Sequence, residues 1–290
     1  MADNFEDQYL LSLVPLNNTS TFYVTPPGRP DLPANVPAHD DPIPNADAWI
    51  AAVRNDIIKI SQTRVGSLLL RSIRFHGQVI TIRPKGLNDC NSGTLPGDTA
   101  FHGPDVDYIT GADIVFSPDH YAAGGKCRLS DLAMGGYAID SDEILFHELV
   151  HAFRQVSGKL KAQGLGKGLT FYGTNEEFNA VLVQGIYASE RKKPIRSSHW
   201  HHFEIDKNLS TSMRFFQSGE ETFKWVEKFC QENPGFTKAL AQIDLPFNPI
   251  NSYYYDPEVK TYGRSRVAKS RDTMMPPAKM VVEFLKEHVR

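Results

Sequence analysis

Cysteine is scarce in this chain: three residues in 290, Cys90, Cys127 and Cys230, an odd number without the short spacings that bind metal. That excludes a disulfide framework of the small secreted kind and predicts reduced thiols in an intracellular setting. Nowhere do eighteen apolar residues run together, so no helical membrane span is predicted. Residues 1–8 are acidic and lack the basic segment and apolar run of a cleaved signal. The expectation is a soluble chain, either cytoplasmic or exported by a specialised secretion system that reads other signals. An excess of charge is missing too: the net value is −3, which argues against a dedicated nucleic-acid binder. The densest basic stretch, 260–271, has no interleaved aromatics and reads as a solvated segment.

With 41% hydrophobic residues, the chain can build a sizeable core. Residues 1–46 read as an extended arm, because seven prolines fall between Pro26 and Pro44. From 47 to 290 the pattern is that of a folded domain. Trp49, Val53, Ile57 and Ile60 mark an amphipathic helix, and Leu68, Leu69, Leu70 and Ile73, after Thr63 and Gly66, mark a second. A strand is predicted at Val79–Ile82, a loop over 86–105, and a second strand at Ala112–Phe116, closed by Ser117 and Pro118. This second strand either offers an open edge to an extended substrate or is an ordinary member of a sheet. Gly164, Gly166 and Gly168 around Lys167 lack the ending of a phosphate-binding loop and read as a mobile connection. Helices are expected over Leu209–Cys230 and Pro277–His288, with Tyr253, Tyr254 and Tyr255 in an aromatic loop between them. The fold class that follows is α+β, mostly helical, with a small twisted sheet and no argument for an oligomeric state.

The chemistry concentrates at His147-Glu148-Leu-Val-His151, inside a segment that otherwise reads as a buried helix. Residues four apart on a helix lie one turn above each other, so both imidazoles can reach one metal ion. Leu145, Leu149, Ala152 and Val156 recur on the opposite face and would pack it into the core. Asp140 with Glu143 gives a capping pattern, and Gly158 offers a stop. Zinc peptidases need two neutral nitrogen ligands, an open position for water, and a carboxylate to take the water's proton. Glu148 would be that base. The plain alternative, two hydrogen-bonded core histidines, leaves Glu148 buried between imidazoles at a cost of several kcal/mol without a metal or partner.

Two histidines hold zinc poorly, so a third ligand must come from elsewhere. The helix opening at Thr174 supplies Glu177, 26 residues beyond His151, with Glu176 as the alternative because adjacent side chains point about 100° apart. A capping box, in which Glu177 only bonds backbone, is the plainer reading. Three histidines, His199, His201 and His202, cluster downstream, and His199 is the candidate donor to an oxyanion. Tyr172 and Tyr187 are the other candidates for that role. Cys90 could cap zinc as a thiolate in a latent form, although a free thiol in a loop is the ordinary reading.

The segments 146–154, 173–183, 186–190 and 196–199, and more weakly 60–70, resemble the NleD-like effector zinc metallopeptidases and related zincin-like bacterial toxin domains. The resemblance covers about residues 60–203 and leaves the Pro-rich arm and the region after Phe247 unmatched. It implies one zincin domain, zinc held by His147, His151 and a downstream glutamate, Glu148 as base, and often delivery into another cell. The reading is thus a zinc metalloendopeptidase acting on a protein or peptide, possessing no nucleic-acid or membrane partner. The competing reading is a non-catalytic zinc-binding module for protein interaction, whose closed site would draw a fourth ligand from Cys90, His199, His201 or His202.

Overall fold

A computed structural model describes residues 11–13, 46–78, 80–84, 93–96, 111–161, 172–199, 202–205, 212–218 and 221–273. The two predicted helices open the domain. In α1 (Ala46–Ser61), Trp49, Val53, Ile57 and Ile60 are buried on one stripe, and the Trp49 indole donates to the Phe116 carbonyl at 3.1 Å. The second, α2 (Arg64–Phe75), is capped by Thr63, whose side chain accepts from Gly66 N at 2.9 Å. Gly66 is needed there because a Cβ would stand 2.0 Å from the Ile60 carbonyl oxygen where the two helices meet.

Four short strands form one sheet in the order β1-β2-β4-β3: β1 (Leu11–Leu13), β2 (Ile80–Arg83), β3 (Gly93–Pro96) and β4 (Ala112–Val115). The pairings β1–β2 and β2–β4 are parallel, and β3 runs antiparallel to β4. Ile80, Ile82, Ala112 and Ile114 alternate inward, as period-two patterning requires. One expectation is corrected, and one open alternative is decided in favour of the ordinary sheet strand. The predicted loop over 86–105 contains β3, a strand too short and too Gly- and Pro-bounded to announce itself. β4 lies between β2 and β3, so both its edges are occupied and it offers no open edge to a substrate.

After a 3-10 turn (Pro118–Tyr121) and α3 (Lys126–Ala133), the chain enters the helix of the histidine motif, α4 (Ser141–Val156). Leu145, Leu149, Ala152 and Val156 are fully buried, and so is nearly every other residue of α4, because α1, α2, β3, β4 and α5 (Asn175–Glu190) all pack on it. Gly158, at φ 66°, ends the helix, with Lys159 N donating to the Arg154 carbonyl at 2.8 Å. Asp140 occupies the N-cap position, but its side chain makes no cap bond. It pairs instead with Lys193 (2.7 Å), Arg191 (3.4 Å) and Arg128 (3.5 Å), three cations that outcompete a backbone N–H.

The C-terminal part adds α6 (Ser212–Gln217), α7 (Thr222–Glu232), α8 (Pro234–Ala241), α9 (Pro249–Tyr255) and α10 (Pro257–Thr273). The single helix expected over Leu209–Cys230 is thus two. The expected aromatic loop is helix α9, started by Pro249 and capped by Asn248, which accepts from Asn251 N at 3.1 Å. Tyr253 and Tyr254 pack as core-flanking side chains. The expectation of reduced thiols fails for Cys127, which is disulfide-bonded; Cys230 is a free, buried thiol. Among the described residues, no helix is long and apolar enough to cross a membrane. The Pro26–Pro44 stretch, Cys90, Gly164–Gly168, His201 and Pro277–His288 lie outside the described residues. The architecture is α+β and mostly helical, with the small sheet predicted.

Candidate metal centre

One turn of α4 separates His147 from His151, and their rings meet edge to face with Nε2 atoms 3.1 Å apart. The opposing group comes from the first turn of α5. Thr174 caps that helix, accepting from Glu177 N at 3.3 Å, so the capping pattern is real at the backbone. The Glu177 side chain is not spent on it. Its Oε2 lies 3.1 Å from His147 Nε2, 3.4 Å from His151 Nε2 and 3.1 Å from His199 Nε2. His199 stacks on His147 at 5.9 Å and 10°, placed by the loop after α5. Its ligand atom and those of His147 and Glu177 lie within 4.8 Å of one another, a group that could hold a metal ion.

Electrostatics within the cluster favours a cation at its centre. Burial pushes the His147 and His199 imidazoles down to about 4, so both present lone pairs at neutral pH. For His151 burial acts the same way but is outweighed by Glu177, Glu148 and Glu176, which lift it to about 9. Burial also opposes ionisation of Glu177, yet His151 and His147 hold its carboxyl well below the usual range. Without a metal, a proton on His151 therefore supplies the positive charge that Glu177 and the His147 lone pair face.

The other candidates sort cleanly. Glu148 is buried on α4 between the two histidines, near enough to raise His151. Glu176 points away and clamps Arg154, accepting from Nε at 2.8 Å and Nη2 at 2.6 Å. The Tyr187 hydroxyl donates to Asp142 at 2.7 Å while its ring stacks on Phe146, which commits it to the core. Tyr172 packs edge-on against Phe178, its phenol pushed up to about 12 by burial. His202 takes a positive φ of 47° and its carbonyl accepts from Tyr137 N, a backbone role.

Two residues went unread in the sequence. Gln184 lies two turns beyond Glu177 on the same face of α5, and its Oε1 is 3.2 Å from His147 Nδ1. Arg196, buried in the loop before His199, donates to that same Oε1 at 3.3 Å and to the His199 carbonyl. The seven-residue spacing from Glu177 to Gln184 was the available signal. Comparison with family models, with curated proteins and with solved structures finds no match for this chain. Fold and site define its class on geometry: a mostly helical α+β domain with a histidine–carboxylate group able to hold a metal ion.

Proposed function

We propose that the protein is a zinc-dependent metallopeptidase hydrolysing peptide bonds of a protein substrate. The observation that carries the reading is the triangle of His147 Nε2, His151 Nε2 and Glu177 Oε2, with sides of 3.1, 3.1 and 3.4 Å. Ligands about 2.0–2.1 Å from zinc in a tetrahedron stand about 3.3–3.4 Å apart, so the three atoms already approximate one face of that coordination shell. Imidazole and carboxylate are ligands zinc accepts. Zinc, when bound, supplies the Lewis acidity that brings a water's pKa toward about 7 and polarises the scissile carbonyl. Glu148 takes the proton of the attacking water and returns it to the leaving amine as the C–N bond breaks and the C–O bond forms. His199, its carbonyl held by Arg196, donates to the developing oxyanion. In this reading an extended substrate backbone pairs with β3, which packs against α4 and is an outer strand of the sheet among the described residues. The resemblance to zincin-like effector domains supports the same reading through residues 146–154 and 173–183.

One observation favours a second reading, a non-catalytic zinc module for protein interaction. His199 Nε2 stands 3.1 Å from Glu177 Oε2, where it could close the fourth corner. Two variants decide. Under the peptidase reading, Glu148→Gln keeps one equivalent of zinc and loses turnover by several orders of magnitude, and His199→Phe keeps zinc affinity within a few-fold while slowing hydrolysis. A collapse of zinc affinity in His199→Phe, with no hydrolysis by the parent chain across a peptide library, establishes the closed site instead.

A further inference from the structure

The Gln184 amide is fixed from two sides. Its Nε2 donates to the Glu143 carbonyl at 3.2 Å, and its Oε1 accepts from Arg196 Nη1 at 3.3 Å. Turning the amide over would set oxygen against the Glu143 carbonyl and an NH2 against the guanidinium, two repulsions in a buried site. With Oε1 thus pinned, the only bond open to the His147 nitrogen 3.2 Å away is Nδ1–H donating to it. That assigns the tautomer: hydrogen on Nδ1 and a lone pair on Nε2, aimed at Glu177 and His151. Free imidazole side chains in water favour hydrogen on the other nitrogen, so the preference here comes from the surroundings.

We propose that Gln184 and Arg196 form an orienting relay, in which Arg196 sets the Gln184 amide, the amide locks His147 as the metal-ready tautomer, and the same guanidinium anchors the loop presenting His199. Both act as positioning residues. Arg196 joins α5 to the segment 196–199 through one planar group, donating to the Gln184 amide and, by Nη2, to the His199 carbonyl. The fork geometry of Arg serves both acceptors at once, which a lysine ammonium on its single flexible stem does not match. Partners that orient a ligating histidine typically change metal affinity by about 10–100-fold when removed, far more than a peripheral contact would.

The inference rests on the metal-binding reading of His147, and two readouts keep them separable. The first is the imidazole nitrogen spectrum of the metal-free chain, which reports the His147 tautomer without metal or activity. The parent is expected to show hydrogen on Nδ1, and Gln184→Met, of similar length but without an acceptor, to lose that preference. The second is zinc affinity by competition with a chelator: Gln184→Met should bind about 10–100-fold more weakly. Gln184→Glu retains an acceptor for His147 and a partner for Arg196 but replaces the donor to the Glu143 carbonyl with an oxygen, so it should recover affinity in part, binding zinc more tightly than Gln184→Met. The cobalt(II)-loaded spectrum should change in Gln184→Met and move back toward the parent's in Gln184→Glu, which a general loss of packing would not produce. Arg196→Lys should weaken zinc binding less than Gln184→Met and slow hydrolysis through kcat with KM little changed. An unaltered tautomer in Gln184→Met, or zinc affinity within three-fold of the parent, overturns the relay while leaving the metal site standing. A parent chain that binds no zinc, with the Nδ1–H tautomer intact, overturns the metal reading and leaves the relay an ordinary core hydrogen bond. Should Gln184→Met fail to fold, the His147 tautomer in Gln184→Glu decides alone, since loss of the Nδ1–H preference where an acceptor for it remains contradicts the relay.

Discussion

Glu176 and Glu177 are neighbours on α5 with opposite tasks, and about 100° of helix separates them. Glu177 turns to three imidazoles, whereas Glu176, 3% exposed, forms a bidentate pair with the fully buried Arg154 and accepts from Lys161 N at 3.0 Å. Their substitutions should therefore part. Glu177→Ala is expected to fold and to lose stoichiometric zinc. Glu176→Ala leaves a buried guanidinium with Glu232, 2.8 Å from its Nη1, as its one remaining carboxylate partner among the described residues. Breaking a buried pair in this way costs about 3–5 kcal/mol, and zinc content should stay near one equivalent wherever the variant is folded. Urea unfolding beside metal analysis reads both quantities. Zinc loss in Glu176→Ala, with retention in Glu177→Ala, would reverse the assignment.

At the scale of elements, the first turn of α4 carries a buried charge network that the sequence did not disclose. Asp142 is fully buried, bonded by Tyr187 of α5 and by Arg191 at that helix's C-cap, and 3.9 Å from Lys59 of α1. Glu143 beside it is less well served: Arg191 stands 3.9 Å away, and burial, only partly offset by that charge, pushes its carboxyl up to about 7 from an ordinary 4.5. A carboxyl raised on folding holds a proton in the native state that the unfolded chain has released between those two values. Its stabilising contribution is complete below about 4.5 and is lost as pH climbs through about 7. Glu143→Gln should remove that loss, leaving the variant more stable than the parent at alkaline pH by on the order of 1–3 kcal/mol, with the gap closing toward acid. Denaturation midpoints across pH test it, and a gap that widens toward acid sinks it. The elements themselves were legible where one face is buried and the ends are marked: α1, α2 with Thr63, α4 with Gly158, and α5 with Thr174 all follow from spacing and punctuation. The His147–His151 pair and Glu177 were legible for the same reason, because helical geometry converts separation along the chain into direction. β3, the position of β4 inside the sheet, and the roles of Gln184 and Arg196 were not, since each depends on which segments become neighbours across the fold.

Taken whole, the molecule is built around α4, with α1, α2 and the sheet packed on it and α5 connecting it to the C-terminal helices through α7. The candidate ligands come from three separate segments: His147 and His151 from α4, Glu177 from α5, His199 from the following loop. An unfolded chain cannot keep those segments together, so zinc should bind the native state far better and stabilise it by mass action. At free zinc of about 100 times the dissociation constant the gain is about 2.7 kcal/mol, and each further tenfold adds about 1.4 kcal/mol. Calorimetry on the parent chain should therefore show a Tm that rises steadily with the logarithm of free zinc and falls when a chelator is added. His147→Ala should have a Tm nearly indifferent to both. Hydrogen exchange should place the greatest change on removal of metal around Glu177 and at 196–199, where the ion adds a link to α4 beside the Glu176–Arg154 and Gln184–Glu143 bonds, and little in α2, whose capped first turn lies outside the cluster. Equal zinc dependence in the parent and in His147→Ala would mean that the stabilising ion sits elsewhere in the molecule.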